Sequence, residues 1–91
     1  MRSVRLRITG RVQGVGYRAW ALDTARRLGL RGWVRNRADG SVEALVTGDD
    51  EAVAAMIEAC HEGPLAARVA EVGISDAEDD GSNAFTPKPT V

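Results

Sequence analysis

Apolar and polar residues alternate near the start of the chain, and the pattern then changes to helical spacing. The apolar residues of the alternating stretch are Val4, Leu6 and Ile8. They predict a half-buried strand over Arg5–Thr9. Further along, apolar residues recur every three or four positions, at Tyr17, Ala21, Ala25 and Leu28. This spacing predicts an amphipathic helix from Tyr17 to Leu28, which Gly29 is suited to end.

The next part of the chain has the pattern of a β-hairpin. Residues alternate from Leu30 to Asn36 and again from Ser41 to Thr47, which predicts a second and a third strand. Between them, Ala38-Asp39-Gly40 supplies the residue types that hairpin turns favour. One face of the second strand carries Leu30, Gly32 and Val34, and the other carries Arg31, Trp33 and Arg35.

A second helix is predicted after Gly48. Asp49 is suited to the N-cap, and the acidic residues Asp50 and Glu51 lie where the helix dipole favours negative charge. The pair Gly63-Pro64 ends the helix. Its buried face is predicted to consist of Val53, Met56, Ile57 and Cys60.

A fourth strand is predicted over about Arg68–Ser75, but its register stays open. Val69 is out of phase with the apolar residues that follow it, and a β-bulge is one solution. Residues 76–83 form an acidic connector. Ala84–Val91 is interpreted as a short fifth strand, and only at an edge, because Pro87 and Pro89 remove two donors from one side of it.

The order β-α-β-β-α-β indicates an α+β fold. Two helices cannot cover both faces of so small a sheet, so we expect an antiparallel sheet with both helices on one face, a ferredoxin-like α/β sandwich. Residues 1–91 are expected to form one domain, with a core over about 4–75. In this topology the first strand is central, and Arg5 and Arg7 on the open face lie near Glu43 and Glu71.

Charge is distributed unevenly along the chain. Residues 1–37 hold ten of the twelve basic residues and one of the thirteen acidic ones, although the net charge is −1. This predicts an electropositive end that attracts anions, or cross-strand pairs that cancel, and the two are compatible in part. No apolar run has transmembrane length, and the alternating arginines near the N-terminus do not resemble a signal peptide. The single cysteine, Cys60, excludes an internal disulfide, so a cytoplasmic location is expected.

The stretch from Gly10 to Arg18 joins the first strand to the first helix. Its sequence is Gly-Arg-Val-Gln-Gly-Val-Gly-Tyr-Arg. The first amides of a helix have no intrahelical acceptor, and the helix dipole favours an anion beside them. Arg18 adds a permanently charged, planar group. The loop therefore has the properties of a socket for a phosphate-sized anion. It is not a Walker loop, because no Gly-Lys-Ser/Thr follows.

Two motifs carry a resemblance to a known family. Gly10–Arg18 resembles the acylphosphatase signature loop, and Gly32–Glu43, which contains Trp33-Val34-Arg35-Asn36, is similar to the second motif of that family. The resemblance implies a ferredoxin-like hydrolase that cleaves the carboxyl–phosphate bond of acyl phosphates without a metal or cofactor. It also implies that the backbone of Gln13, Gly14, Val15, Gly16, Tyr17 and Arg18 binds the phosphoryl group. By the same resemblance, Arg18 also binds this group through its side chain and Asn36 orients the attacking water.

Taken singly, these two residues have ordinary structural explanations. Arg18 is interpretable as a surface arginine paired with Asp23 or with solvent, and Asn36 as a polar residue that closes a strand before a turn. Only their joint match to the family motifs favours the functional interpretation. A carboxylate leaving group needs no general acid, so this small number of groups is chemically sufficient. The base for the water stays open, with the substrate's own phosphate oxygens as one source.

Other chemistries find less support in the sequence. Cys60 and His61 are neighbours on a helix and point about 100° apart, so they are expected to be a core residue and a helix-end residue. No metal-ligand cluster lies near the Gly loop, and no third glycine completes a dinucleotide motif. An RNA-binding sheet face around Trp33 and a non-catalytic anion-binding module remain alternatives. The expected partners are a small acyl phosphate and competing phosphate or sulfate; nucleic acid, a membrane and a second copy are not expected.

Overall fold

Five strands and two helices make up the structure, a computed structural model that describes all residues from 1 to 91. In chain order the elements are β1 (Arg2–Arg11), α1 (Tyr17–Arg27), β2 (Arg31–Asn36), β3 (Val42–Gly48), α2 (Asp50–Glu62), β4 (Arg68–Asp76) and β5 (Phe85–Pro87). The predicted elements are all present, and β1 is longer than the alternating stretch because it pairs with a strand on each side. No helix is long and apolar enough to cross a membrane.

The strands form one sheet in the order β4-β1-β3-β2-β5. The predicted antiparallel pairing of the first four strands, β1 to β4, is confirmed. The direction of the fifth strand is not predicted by the sequence: β5 pairs with β2 in parallel and makes the sheet mixed. The reason is the path of the chain. Strand β4 finishes at the same end of the sheet at which β2 starts. The 77–84 connector crosses this end to the opposite edge, so β5 then runs beside β2 in the same direction. As predicted, β5 is an edge strand: the Lys88 amide, not a proline, faces β2 and donates to the carbonyl of Val34 at 2.9 Å.

Both helices cover one face of the sheet and enclose the core with it. The alternating residues of β1 and β3 are buried on this face as predicted, together with Val53, Met56 and Cys60 from α2. Helix α1 ends as its sequence indicates: the Leu30 amide donates to the carbonyl of Ala25 at 2.9 Å and the Gly29 amide to that of Arg26 at 3.1 Å. These two bonds form a Schellman motif, which turns the chain directly into β2.

A β-bulge in β4 settles the register that the sequence left open. Thr9 pairs with Glu71 and Gly10 with Val69, so Ala70 is the extra residue. Gly10 has a φ of 113°, and a Cβ there would overlap the carbonyl oxygen of Arg68. The bulge brings the end of β1 close against β4, directly before the glycine loop.

The open face carries charged side chains that pair across strands. Arg5 lies 3.5 Å from Glu43, as the topology predicts. Arg7 pairs with Asp39 of the hairpin turn and not with Glu71. Basic residues of the first part of the chain therefore meet acidic residues of the second part, so that part of the charge is paired across strands.

Candidate active site

The glycine loop between β1 and α1 presents backbone amides that have no acceptor in the protein. None of the amides of residues 13–18 donates to a backbone carbonyl, and the first helical bond runs from Trp20 to Gly16 at 3.0 Å. Unpaired amides at a helix N-terminus attract an anion both by hydrogen bonding and through the helix dipole. The loop thus has the donors that a phosphate-sized anion needs.

The glycines at 14 and 16 give the loop its shape. Their φ angles are 73° and 80°, in the left-handed region that favours glycine. A Cβ at either position would meet no protein atom within 4 Å. The glycines are therefore required by the backbone turn and not by packing, and the space beside them opens to solvent.

Arg18 lies in the first turn of α1 with an exposed side chain. The alternative that it pairs with Asp23 does not hold, because Asp23 forms its ion pair with Arg27 at 3.1 Å. The guanidinium of Arg18 is left without an acidic partner. Arg18 follows Gly16 by two residues, directly after the loop whose amides are unpaired.

Asn36 is the last residue of β2 and lies at the same end of the sheet as the glycine loop. Across the sheet it pairs with Val42, and Val42 pairs with Ile8 near the end of β1. It shares the helix-covered face with Val34, since residues two apart on a strand point the same way. The residue is half-buried. The first turn of α1, which carries Arg18, and Asn36 therefore lie at the same end of the sheet and on the same face of it.

Gln13 connects the loop to the hairpin, a contact that the sequence analysis missed. Its side-chain Nε2 donates to the carbonyl oxygens of Arg37 at 2.8 Å and Ser41 at 2.9 Å. These two residues flank the turn that follows Asn36. Sequence reasoning assigned Gln13 a role only through its backbone, and no local signal indicates an acceptor that is 24 or 28 residues away.

Tyr17 fixes the other end of the loop in the core. Its ring is 2% exposed, and its hydroxyl donates to the carbonyl oxygen of Cys60 at 2.7 Å. Burial, followed by the neighbouring Cys60, raises the pKa of Tyr17 far above its ordinary value. The residue therefore stays neutral and acts as an anchor between the loop and α2.

Val91 also reaches this edge of the sheet, which the sequence did not indicate. Its amide donates to the carbonyl of Asn36 at 3.2 Å, and its carbonyl accepts from the Ala38 amide at 2.6 Å. The backbone on both sides of Arg37 is thereby held by Val91. Asn36 is supported from two directions, by Gln13 through the turn and by Val91 directly.

Other residues considered from the sequence have structural roles. Cys60 is 1% exposed, and burial raises the pKa of its thiol to about 11. His61 lies at the end of α2, with Nδ1 at 2.9 Å from the carbonyl oxygen of Ile57. No group of three or more histidine, cysteine, aspartate or glutamate side chains is placed to hold a metal ion.

The open face of the sheet offers little to a nucleic-acid base. Trp33 is 5% exposed. The guanidinium of Arg35 lies 4.5 Å from the centre of its ring, and the Lys88 ammonium lies 5.1 Å from it. Since these cations occupy the ring, a base has no free aromatic surface on which to stack. The RNA-binding alternative loses its main support.

Fold and site together define a small ferredoxin-like α+β protein with a loop of unpaired backbone amides at a helix N-terminus. The family model described as acylphosphatase matches residues 4–87. An acylphosphatase of Rhodospirillum rubrum is 48% identical over 91 residues, which is 100% of each chain. One of Rhizobium etli is 60% identical over 70 residues, or 77% of this chain and 74% of that one.

Solved structures agree with the sequence comparison. The crystal structure of acylphosphatase from Bacillus subtilis has a TM-score of 0.93 and 34% identity, over 97% of this chain and 99% of that one. The chain belongs to the acylphosphatase family, a family of hydrolases. The family resemblance read from the two motifs is confirmed, and so is the ferredoxin-like arrangement.

Proposed function

We propose that the protein hydrolyses the carboxyl–phosphate bond of acyl phosphates to a carboxylate and inorganic phosphate. The phosphoryl group is held by the backbone amides of residues 13–18 and the guanidinium of Arg18, and Asn36 orients the attacking water. The observation that carries this proposal is the set of unpaired amides beside an arginine that has no acidic partner. Family membership supplies the substrate class.

The loop and Arg18 suit the charge that develops in phosphoryl transfer. In the transition state, negative charge is spread over three equatorial oxygens, so fixed donors around them lower the barrier. Several amides and one bidentate guanidinium provide these donors in a rigid arrangement. The leaving group departs as a carboxylate, which is a weak base and needs no general acid. The leaving groups of phosphate monoesters are more basic, and we expect monoesters to be poor substrates.

Asn36 contributes position and not charge. A side-chain amide holds a water through one donor or one acceptor contact, and holding the water in line with the bond that breaks lowers the entropic part of the barrier. No side chain at this edge is an evident base. We propose that a phosphate oxygen of the substrate accepts the proton of the water as the new bond forms.

Release of phosphate from benzoyl phosphate tests the proposal. Purified protein should hydrolyse it at the same rate with and without a chelator, while a monoester such as phenyl phosphate should be cleaved far more slowly. Inorganic phosphate and sulfate should inhibit competitively. Because the proposed site lies within one chain, the rate per chain should not change on dilution. Hydrolysis that requires added metal would contradict the mechanism.

A further inference from the structure

A cleft lies on the open face of the sheet, opposite the helices and the glycine loop. Its volume is about 440 Å³. We call it the arginine cleft. Its lining includes Arg5, Arg7, Arg37, Glu43, Gly73 and Ser75. The proposed hydrolysis uses none of these side chains.

Positive charge exceeds negative charge in this cleft. Arg5, Arg35 and Arg37 all lie within 4.0 Å of Glu43. Arg7 and Arg37 both lie within that distance of Asp39. Within ion-pair distance, four guanidinium groups therefore share two carboxylates. The neighbouring cleft, which also contains Arg5, carries the acids Asp76, Glu78 and Asp80, and none of them forms an ion pair with an arginine of the arginine cleft. Glu71, on the same face of β4, lies beside Thr9 and outside the cleft lining.

The carboxylate of Glu43 is already used by the protein. Its Oε1 accepts from Arg35 at 2.8 Å and from Arg37 at 3.1 Å. Burial alone would raise its pKa, but these two arginines outweigh burial and hold the pKa below its ordinary value. The acid is thus charged, and its Oε1 already accepts two hydrogen bonds. The guanidinium of Arg5, by contrast, approaches Glu43 only to 3.5 Å, and the Arg5 side chain is 53% exposed.

Gly73 forms the open floor of the cleft. It pairs directly with Arg7 across β1 and β4. Its φ lies outside the left-handed region, and a Cβ there would make only ordinary contacts, at 3.7 Å from the carbonyl oxygen of Arg7. Neither conformation nor packing requires a glycine here. Its effect is to leave room between Arg7 and Ser75 where a side chain would otherwise lie.

We propose that the arginine cleft is a second anion site, separate from the glycine loop, which binds a chain of phosphate groups. Arg5 and Arg7 lie two residues apart on one face of β1, so their Cα atoms are roughly 7 Å apart. The cleft, at about 440 Å³, has room for several linked phosphates, and such a chain can contact both guanidinium groups at once. Guanidinium groups bind phosphate oxygens in pairs, and the Ser75 hydroxyl is a further donor at the rim.

The ligand is recognised through its phosphates and not through a base, because the cleft lining holds no aromatic residue and Trp33, elsewhere on the open face, is covered by Arg35 and Lys88. The phosphate chain can be free or carried by a nucleotide. Inorganic tripolyphosphate and ADP separate these sources. We expect both to bind, and binding of ADP alone would overturn the proposal, since it would assign recognition to the nucleoside.

The test is a titration of the folded protein with tripolyphosphate, followed by the backbone amide signals of each residue in NMR. Amides of residues 13–18 report the glycine loop, and those of Gly73 and Ser75 report the cleft. We expect both sets to shift and to saturate at different concentrations. Shifts confined to residues 13–18 would overturn the second site.

Two variants test the cleft in different ways. Gly73→Val fills the floor without any change of charge, and Arg5→Gln with Arg7→Gln removes two charges. Both should weaken binding at the cleft by at least about tenfold, because each removes charge-assisted contacts or the space for them. Both should leave the shifts of residues 13–18 and benzoyl phosphate hydrolysis unchanged, so that failure here is distinct from failure of the proposed hydrolysis.

A matched control separates a site from general attraction. Arg2→Gln with Arg27→Gln removes the same charge from exposed arginines outside the cleft. It should preserve binding at the cleft at moderate salt. If this control weakened binding as much as the cleft variant, or if Gly73→Val had no effect, the attraction would be long-range electrostatics and the proposal would be wrong.

Discussion

Gln13 donates from its side chain to the carbonyl oxygen of Ser41 at 2.9 Å, across 28 positions of sequence. The same nitrogen donates to Arg37 at 2.8 Å. Asp39, between these two residues, accepts from the Ser41 hydroxyl at 2.6 Å and from its amide at 2.9 Å. The glycine loop and the strand end that carries Asn36 are thereby joined by hydrogen bonds. This arrangement fixes the distance between the two proposed parts of the site.

The first prediction concerns this connection. Gln13→Ala should lower kcat/KM for benzoyl phosphate by about tenfold or more, because the loop loses its tie to the hairpin. The cost to stability should be small, about 1 kcal/mol. Ser41 still accepts from the Arg37 amide at 2.9 Å, and Arg37 from the Gly40 amide at 3.1 Å, so neither carbonyl is left without a donor. Enzyme kinetics and urea unfolding measure the two effects separately.

A matched control is available in Arg26, whose side chain donates to the backbone carbonyl of Phe85 at 3.1 Å, away from the loop. Arg26→Met should affect stability only. Gln13→Glu keeps the shape but turns a donor into an acceptor that faces two carbonyls, and it should be at least as inactive as Gln13→Ala. Full activity in Gln13→Ala would show that the loop holds its position without this contact.

The sequence predicts what depends on local pattern, and it misses what depends on distant backbone. Strands and helices follow from periodicity, and the turn of Asp39-Gly40 from residue type. The direction of β5 does not follow from local pattern, because it depends on where the connector crosses the sheet. The change of phase after Val69 indicates a bulge in β4, but its position at Ala70 depends on the close approach to Gly10.

The same division applies to the candidate site. Arg18, Asn36 and the loop lie in recognisable motifs, so their position at one edge of the sheet follows from the topology. The contacts that support them do not. A glutamine side chain that donates to a distant carbonyl has no spacing rule, and neither has the pairing of Val91 with Asn36.

The second prediction concerns stability in acid. Donors from Ser41, followed by the charge of Arg7, lower the pKa of Asp39 from its ordinary 3.8 to about 2. The unfolded chain therefore takes up a proton at this carboxyl before the folded chain does. The stability that Asp39 contributes is complete above its ordinary pKa and is lost as the pH falls toward about 2.

Asp39→Asn should accordingly lose less stability than the wild type when the pH is lowered from about 6 to about 3. Ser41→Ala removes one donor to the carboxylate and should give an intermediate result. Urea unfolding of the three proteins at both pH values measures this. Equal losses in all three would mean that the hydrogen bonds of the turn do not lower the pKa of Asp39.

The third prediction concerns the thiol of Cys60. Because burial raises its pKa to about 11 and leaves it 1% exposed, the thiol should not react in the folded protein. A thiol reagent should label it only when the protein opens, at a rate that rises with urea. Thr90→Cys adds an exposed thiol as an internal standard, which should react immediately in the same sample. Fast labelling of Cys60 without denaturant would contradict its placement in the core.

The last prediction separates the proposed roles of Arg18 and Asn36. Arg18 would contact the phosphate in the ground state and in the transition state, so Arg18→Ala should weaken phosphate binding and lower kcat together, by about a hundredfold or more in kcat. Lysine should restore little, because a point charge does not replace a bidentate contact. Phosphate should raise the melting temperature of the wild type and not of Arg18→Ala.

Asn36 would contact the water and not the phosphate. Asn36→Ala should therefore lower kcat strongly while the phosphate inhibition constant stays near that of the wild type. Arg27→Ala on the same helix as Arg18 and Asn83→Ala in the connector are matched controls and should leave both constants unchanged. All four variants should remain folded by circular dichroism, since none of these side chains is in the core. If Asn36→Ala kept its full kcat, the water would have to be positioned by another group, and Asn36 would serve only to end its strand.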